Sequence, residues 1–158
     1  AATRRLWNAP ETGRMRALVR FHAEHKLLLQ ARSEKRMRAL GRTVANHGRR
    51  RAAEVFAEYG AGLCAALRKL PSAKSNINVL QHAMGHFKRD ISDAEKTYFL
   101  QTLESYREGR VPLSAAVSVI RAWSARFGEV YIAGQRFFEP YPEELVSVSD
   151  SGTGRRLR

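Results

Sequence analysis

An all-α fold is what this sequence predicts: a single domain of six to seven helices packed around a central amphipathic helix at about residues 77–91. Three observations carry that reading. Apolar side chains recur at spacings of three and four through most of the chain, and no segment alternates as a half-buried strand does. Helix start and stop residues punctuate those periodic segments at regular intervals. A chain of 158 residues, 44% of them hydrophobic, suits one domain that buries about two-thirds of its unfolded surface in a single core.

Residues 1–13 have no sustained period and read as a leader or linker remnant. From Arg14 to about Ala31, the positions Met15, Leu18, Phe21, His22, His25, Leu28 and Leu29 form one stripe of an amphipathic helix. Its other face carries Arg14, Arg16, Arg20 and Lys26. Ser33 is placed to cap a short second helix through Leu40, with Gly41 as its stop. Arg42 to Arg51, with Asn46, His47, Gly48 and three consecutive arginines, read as an exposed helix end or loop. The next helix presents Ala52, Val55, Phe56, Tyr59, Leu63, Ala66, Leu67 and Leu70 and stops at Pro71, since proline removes a ladder donor.

Ser75 or Asn76 caps the central helix, whose core stripe is Ile77, Leu80, Met84, Phe87 and Ile91. Ser92 and Glu95 match a capping box for the following helix, with Phe99, Leu103 and Tyr106 as its stripe and Gly109 beyond its end. Pro112 and Ser114 introduce a helix bearing Ala116, Val119, Ile120, Trp123 and Phe127, ended by Gly128. A shorter one spans about Glu129 to Phe138, before the prolines of Glu139-Pro140-Tyr141-Pro142. The helical domain is thus 14–146, and the Ser-, Gly- and Arg-rich 147–158 read as a disordered basic tail.

Charge is the most informative part of the composition. The net charge is +13, and residues 1–51 hold fourteen Lys and Arg against three Glu. So lopsided a field attracts polyanions and opposes compaction by self-repulsion, which makes nucleic acid the leading partner, with an ordinary solvated basic surface as the plain alternative. No apolar run approaches the roughly 18 residues of a membrane span. Cys64 is the one cysteine, so an intrachain disulfide is excluded; among Leu63, Ala65 and Ala66 it reads as a small buried hydrophobe, and a reducing, cytoplasmic setting fits.

Catalytic signatures are thin. No serine sits in a nucleophile elbow, and no glycine-rich phosphate loop occurs. Asp90, Asp93 and Glu95 read as helix-start charges. His22 and His25, with His82 and His86 elsewhere, lack the third and fourth ligands of a metal site, so neither metal nor other cofactor is expected in this chain. The central helix has a second, polar face with Asn78, His82, Gly85 and Arg89, flanked by Gln81 and His86. Gly85 costs about 1 kcal/mol against alanine within a helix, which points to close approach by a backbone or ligand. Such a face serves either as a binding pocket or as a set of polar groups satisfied by an adjacent helix.

Asn78-Val79-Leu80, His82, Gly85, Phe87 and Lys88, together with Phe21-His22, Lys26-Leu27, Leu40-Gly41, Val44-Ala45, Tyr106-Arg107, Gly109, Pro112-Leu113 and Gly134-Gln135-Arg136-Phe137-Phe138 before Tyr141-Pro142, resemble the YbgA-like family of bacterial domains over roughly Leu18 to Leu145. His86 departs from the tyrosine of the family pattern. Members occur alone or fused behind an iron–sulfur desulfidase domain that removes sulfur from thiolated uracil, including 4-thiouridine in tRNA. The resemblance implies an RNA-binding accessory role, foremost toward tRNA, beside a catalytic desulfidase domain or subunit. One cysteine cannot ligate such a cluster here.

The expected division of labour gives Arg49, Arg50, Arg51, Arg42 and Lys26 to phosphates, with Lys88 and Arg89 as further cations. Asn78, His82, His86 and His22 form a more selective pocket for a base or sugar. Two alternatives stand beside it: a protein-interaction module that docks a catalytic partner, and a stand-alone hydrolase or transferase using His82 with Asn78.

Overall fold

In the computed structural model, which describes residues 11–139, six helices and no strand are found among the described residues. They are α1 (Glu11–Ala45), α2 (Ala52–Leu67), α3 (Ala73–Gly85), α4 (Asp93–Arg107), α5 (Leu113–Phe127) and α6 (Val130–Ala133). The all-α expectation holds. The parts of the expected leader and tail at 1–10 and 140–158 lie outside the described residues, as do Pro140, Tyr141 and Pro142.

α1 corrects the expectation of two helices stopped at Gly41. It begins at Glu11, within the expected leader, and runs to Ala45. The anticipated break is present, because Ser33 has extended backbone angles (φ −165°, ψ 104°) and its Oγ accepts a long hydrogen bond from the Arg36 amide at 3.4 Å. Gly41 lies inside the second half. A Cβ there would sit 3.3 Å from His22 Nε2, so glycine serves packing at this position and not termination. The chain reverses instead at Asn46, whose φ is 45° and whose side chain bonds both the amide and the carbonyl of Arg50.

α2 ends at Leu67, a turn earlier than Pro71 demands, and leaves Leu70 81% exposed. Arg32 Nη1 donates to the carbonyls of Leu67 (2.7 Å) and Lys69 (3.0 Å). A long-range guanidinium therefore satisfies the orphan acceptors at this helix end. The cap of α3 is Ser72, in place of Ser75 or Asn76: its Oγ accepts from the Ser75 amide and Ser75 Oγ accepts from the Ser72 amide. α3 ends at Gly85 and not at Ile91, and tight turns carry the chain to the next cap. Gly85 is thus a terminal helical residue with open space where a Cβ would go, so close approach does not explain it.

The capping box of α4 is as expected: Ser92 Oγ accepts from the Glu95 amide while Glu95 accepts from the Ser92 amide. Its far end closes with the Arg110 amide on the Ser105 carbonyl (2.8 Å) and the Gly109 amide on that of Tyr106 (3.1 Å), the paired bonds of a Schellman motif, which Gly109 permits with φ 72°. Gly128, also left-handed, ends α5. The expected Glu129–Phe138 helix shrinks to the four residues of α6.

Packing produces two apolar clusters where one core was expected. The first gathers Ile77, Leu80, Ala83 and Phe87 with Phe99, Leu103, Ile120, Trp123, Ile132, Phe137 and Phe138. This places α3 at the centre, against α1, α4 and α5. The second joins Leu18, Leu29, Met37, Leu40 and Val44 of α1 to Val55, Tyr59 and Ala66 of α2. α1 walls both, because Leu27 faces the first cluster and Leu29 the second, each with no exposed surface. Cys64 is exposed, not buried. No helix among the described residues is long and apolar enough to cross a membrane.

Candidate nucleic-acid interface

Among the described residues up to 51, the basic side chains lie on α1 and the loop leaving it. On the first half of α1, Arg16, Arg20 and Lys26 are exposed, with Val19 and Ala23 between them; helical spacing places these five on one side. On the second half, Lys35, Arg38 and Arg42 share an exposed side opposite Met37, Leu40 and Val44. Of these six cations, only Arg38 has a carboxylate partner among the described residues, Glu34. Lys88 and Arg89, in the turns after α3, are also exposed and unpaired by any described carboxylate.

The three consecutive arginines are less uniform than their spelling. Arg50 is paired with Glu58, and Arg51 bonds Glu54 through Nε (3.0 Å) and Nη2 (2.9 Å). The hydrogen bond from Arg50, followed by that from Thr43, holds the Glu58 carboxyl below its ordinary value, so it stays ionised. Arg49, with φ 50°, has no described carboxylate beside it. Of the run, it alone lacks a carboxylate partner among the described residues.

The expected pocket of Asn78, His82, His86 and His22 is divided by the fold. His22 belongs to the second cluster. Its Nδ1 lies 3.1 Å from the Tyr59 hydroxyl. Burial pushes the Tyr59 phenol up to about 12, so the hydroxyl keeps its proton and is both a donor and an acceptor toward the neutral ring. Burial, and then the nearby Lys26 and His25, lower the pKa of His22. His25 donates from Nδ1 to the Phe21 carbonyl at 2.8 Å and stacks on the Phe21 ring, centroids 3.9 Å apart. The His22–Tyr59 contact joins α1 to α2, while that of His25 lies within α1.

His82 and His86 sit one turn apart beside α6. Their rings meet edge-on with centroids 5.7 Å apart, and His86 stacks on Tyr131 at 5.2 Å with 18° between planes. Glu129 Oε1 is 3.9 Å from His86 Nδ1. One face of His86 is therefore already occupied from within the chain, while the His82 ring is exposed. Asn78 lies one turn before His82 on α3 and lines a hollow at the break of α1. Tyr59 and Tyr131 were not singled out as site residues. Both read as ordinary helix residues, Tyr59 on an apolar stripe and Tyr131 within the expected 129–138 helix, since their histidine partners are distant in sequence.

Gln135 is a further residue whose role the sequence did not disclose. It is 3% exposed, and its amide accepts from the Leu27 amide (3.1 Å) and donates to the Ala23 carbonyl (2.8 Å). The Arg136 amide donates to the Glu24 carbonyl beside them. One polar side chain thus fastens the C-terminal part of the described chain onto α1 at the level of Lys26. No group of three or more His, Cys, Asp or Glu able to hold a metal occurs among the described residues.

Residues 26–142 match the family model described as "Protein of unknown function (DUF1722)". The chain is 29% identical over 137 residues to the "Uncharacterized protein YbgA" of Escherichia coli (strain K12), covering 86% of this chain and 80% of that protein. No solved structure matches. With the helical framework and most of the quoted motif residues inside the matched span, the chain belongs to the DUF1722 family and is YbgA-like.

Proposed function

We propose that this chain is an RNA-binding accessory domain, with tRNA as its foremost RNA, serving a partner that removes sulfur from thiolated uridine. The observation that carries RNA binding is the basic surface of α1 and its exit loop. Arg16, Arg20, Lys26, Lys35, Arg42 and Arg49 are exposed and lack carboxylate partners among the described residues. Unpaired surface cations on one helix gain by neutralising phosphates and releasing their counterions. Service to a desulfidase is supported by the family resemblance alone. The pairing of Arg50 and Arg51 with carboxylates favours Arg49 and the α1 cations as the first phosphate contacts in this reading.

Fluorescence anisotropy with 4-thiouridine-containing tRNA, unmodified tRNA and duplex DNA tests this at two salt concentrations. With six to ten phosphate contacts, affinity falls by about 10³–10⁵ between roughly 50 and 200 mM salt. Replacing Arg16, Arg20 and Lys26 by glutamine weakens binding to every RNA and flattens the salt slope by about one per lost phosphate contact. An unchanged slope in that variant, or no binding by the unaltered chain at low salt, would count against the proposal and favour a protein-docking role for the basic face.

A further inference from the structure

At the break of α1 lies a hollow of about 170 Å³. Its walls come from three places: Gln30, Arg32 and Glu34 on either side of Ser33, Lys69 and Leu70 after α2, and Asn78 on α3. The hydrogen-bonding capacity at the start of α3 is largely spent, because Ser72 and Ser75 satisfy one another. What the hollow offers is therefore in its other side chains. The Gln30 and Asn78 amides have no hydrogen-bond partner among the described residues and lie on different helices. Leu70 exposes 81% of its surface at the same place. Arg32 uses Nη1 on the Leu67 and Lys69 carbonyls, and Lys69 has no described carboxylate partner. The Glu34 carboxylate is neutralised by Arg38.

Two amides with both donor and acceptor edges, an apolar side chain and two cations are the parts needed to hold an unpaired base by its edge, its face and its flanking phosphate. At well under the roughly 300–1,000 Å³ of typical small-molecule sites, the hollow suits one base. We infer that it receives a single unpaired base of a bound RNA: Gln30 and Asn78 meet the base edge, Leu70 lies against the ring, and Lys69 with Arg32 faces the adjacent phosphate. This inference rests on the RNA-binding reading and locates its selective contact at the α1 break, in a hollow that none of His22, His82 and His86 lines.

The test compares the full chain with a Gln30→Ala/Asn78→Ala double variant, using oligouridylate, oligoadenylate and an RNA duplex of equal length. Circular dichroism establishes that the variant is folded; a variant that does not fold is replaced by Asn78→Ala alone. The expected result is a loss of about tenfold in affinity for one or both single strands, the size of a good amide-to-base pairing, with duplex affinity unchanged. Side-chain amide resonances of Gln30 and Asn78 in the unaltered chain shift on adding the preferred oligonucleotide. Equal losses for single strands and duplex, or unmoved amide resonances under saturating oligonucleotide, would overturn the base seat while leaving RNA binding in place. If the unaltered chain binds none of the three RNAs, the RNA-binding reading falls and the seat with it.

Discussion

The 3.1 Å contact of His22 Nδ1 with the Tyr59 hydroxyl gives the fold a titratable link between α1 and α2. The ring is held neutral by burial first, with Lys26 and His25 acting in the same direction. Its folded pKa lies below the unfolded value, so on acidification the unfolded chain takes up this proton first. Stability from this group is whole above about pH 6.5 and is lost as pH falls through that value toward the folded pKa. Thermal melts should therefore show Tm falling between roughly pH 7.5 and 5.5. His22→Gln, which can keep an acceptor for the Tyr59 hydroxyl, should make that fall shallower; identical slopes in the two proteins would assign the effect elsewhere. The sequence showed His22 on the apolar side of an amphipathic segment. Its partner, 37 residues away, belongs to the packing of two helices, which residue spacing does not encode.

Three helix ends that depend on near neighbours were legible, whereas the equally local Ser72–Ser75 cap of α3 was expected at Ser75 or Asn76. Ser92 with Glu95, Gly109 and Gly128 all act within a few residues of themselves, so the local spelling is sufficient. Two other misread positions have distant causes. α2 stops at Leu67 where Arg32 reaches its carbonyls, and Gly41 makes room for a ring on the preceding half of α1. Glycines therefore separate into kinds that substitution can distinguish. Gly60 lies within α2 with open space at its Cβ position, so Gly60→Ala should stabilise the chain by about 1 kcal/mol through helix propensity. Gly109 has equal space but a φ of 72°, and Gly109→Ala should cost about 1–2 kcal/mol for the left-handed backbone. Urea denaturation of both variants checks this pair; shifts of the same sign would mean that backbone conformation is not what distinguishes them.

At the scale of the molecule, α1 couples the two apolar clusters, since Leu27 and Leu29 leave the same helix in different directions. Removing either side chain to alanine should cost about 2–5 kcal/mol, the range for buried leucines. Because the wall is shared, each change should lower one common unfolding transition. Two separate transitions, each sensitive to only one leucine, would make the clusters independent units. The same division explains the fate of the expected pocket. His22 packs in one cluster, His86 lies against Tyr131 beside the other, and Asn78 opens onto the hollow at the α1 break. Sequence by itself determined the all-α class, the core stripe of α3, the local caps and the basic character of α1, because periodicity, capping chemistry and charge are properties of neighbouring residues. The partition into two cores, the pairing of Arg50 and Arg51, and the position of each polar group relative to the others were decided only by tertiary structure, because they depend on which helix faces are brought together across long stretches of chain.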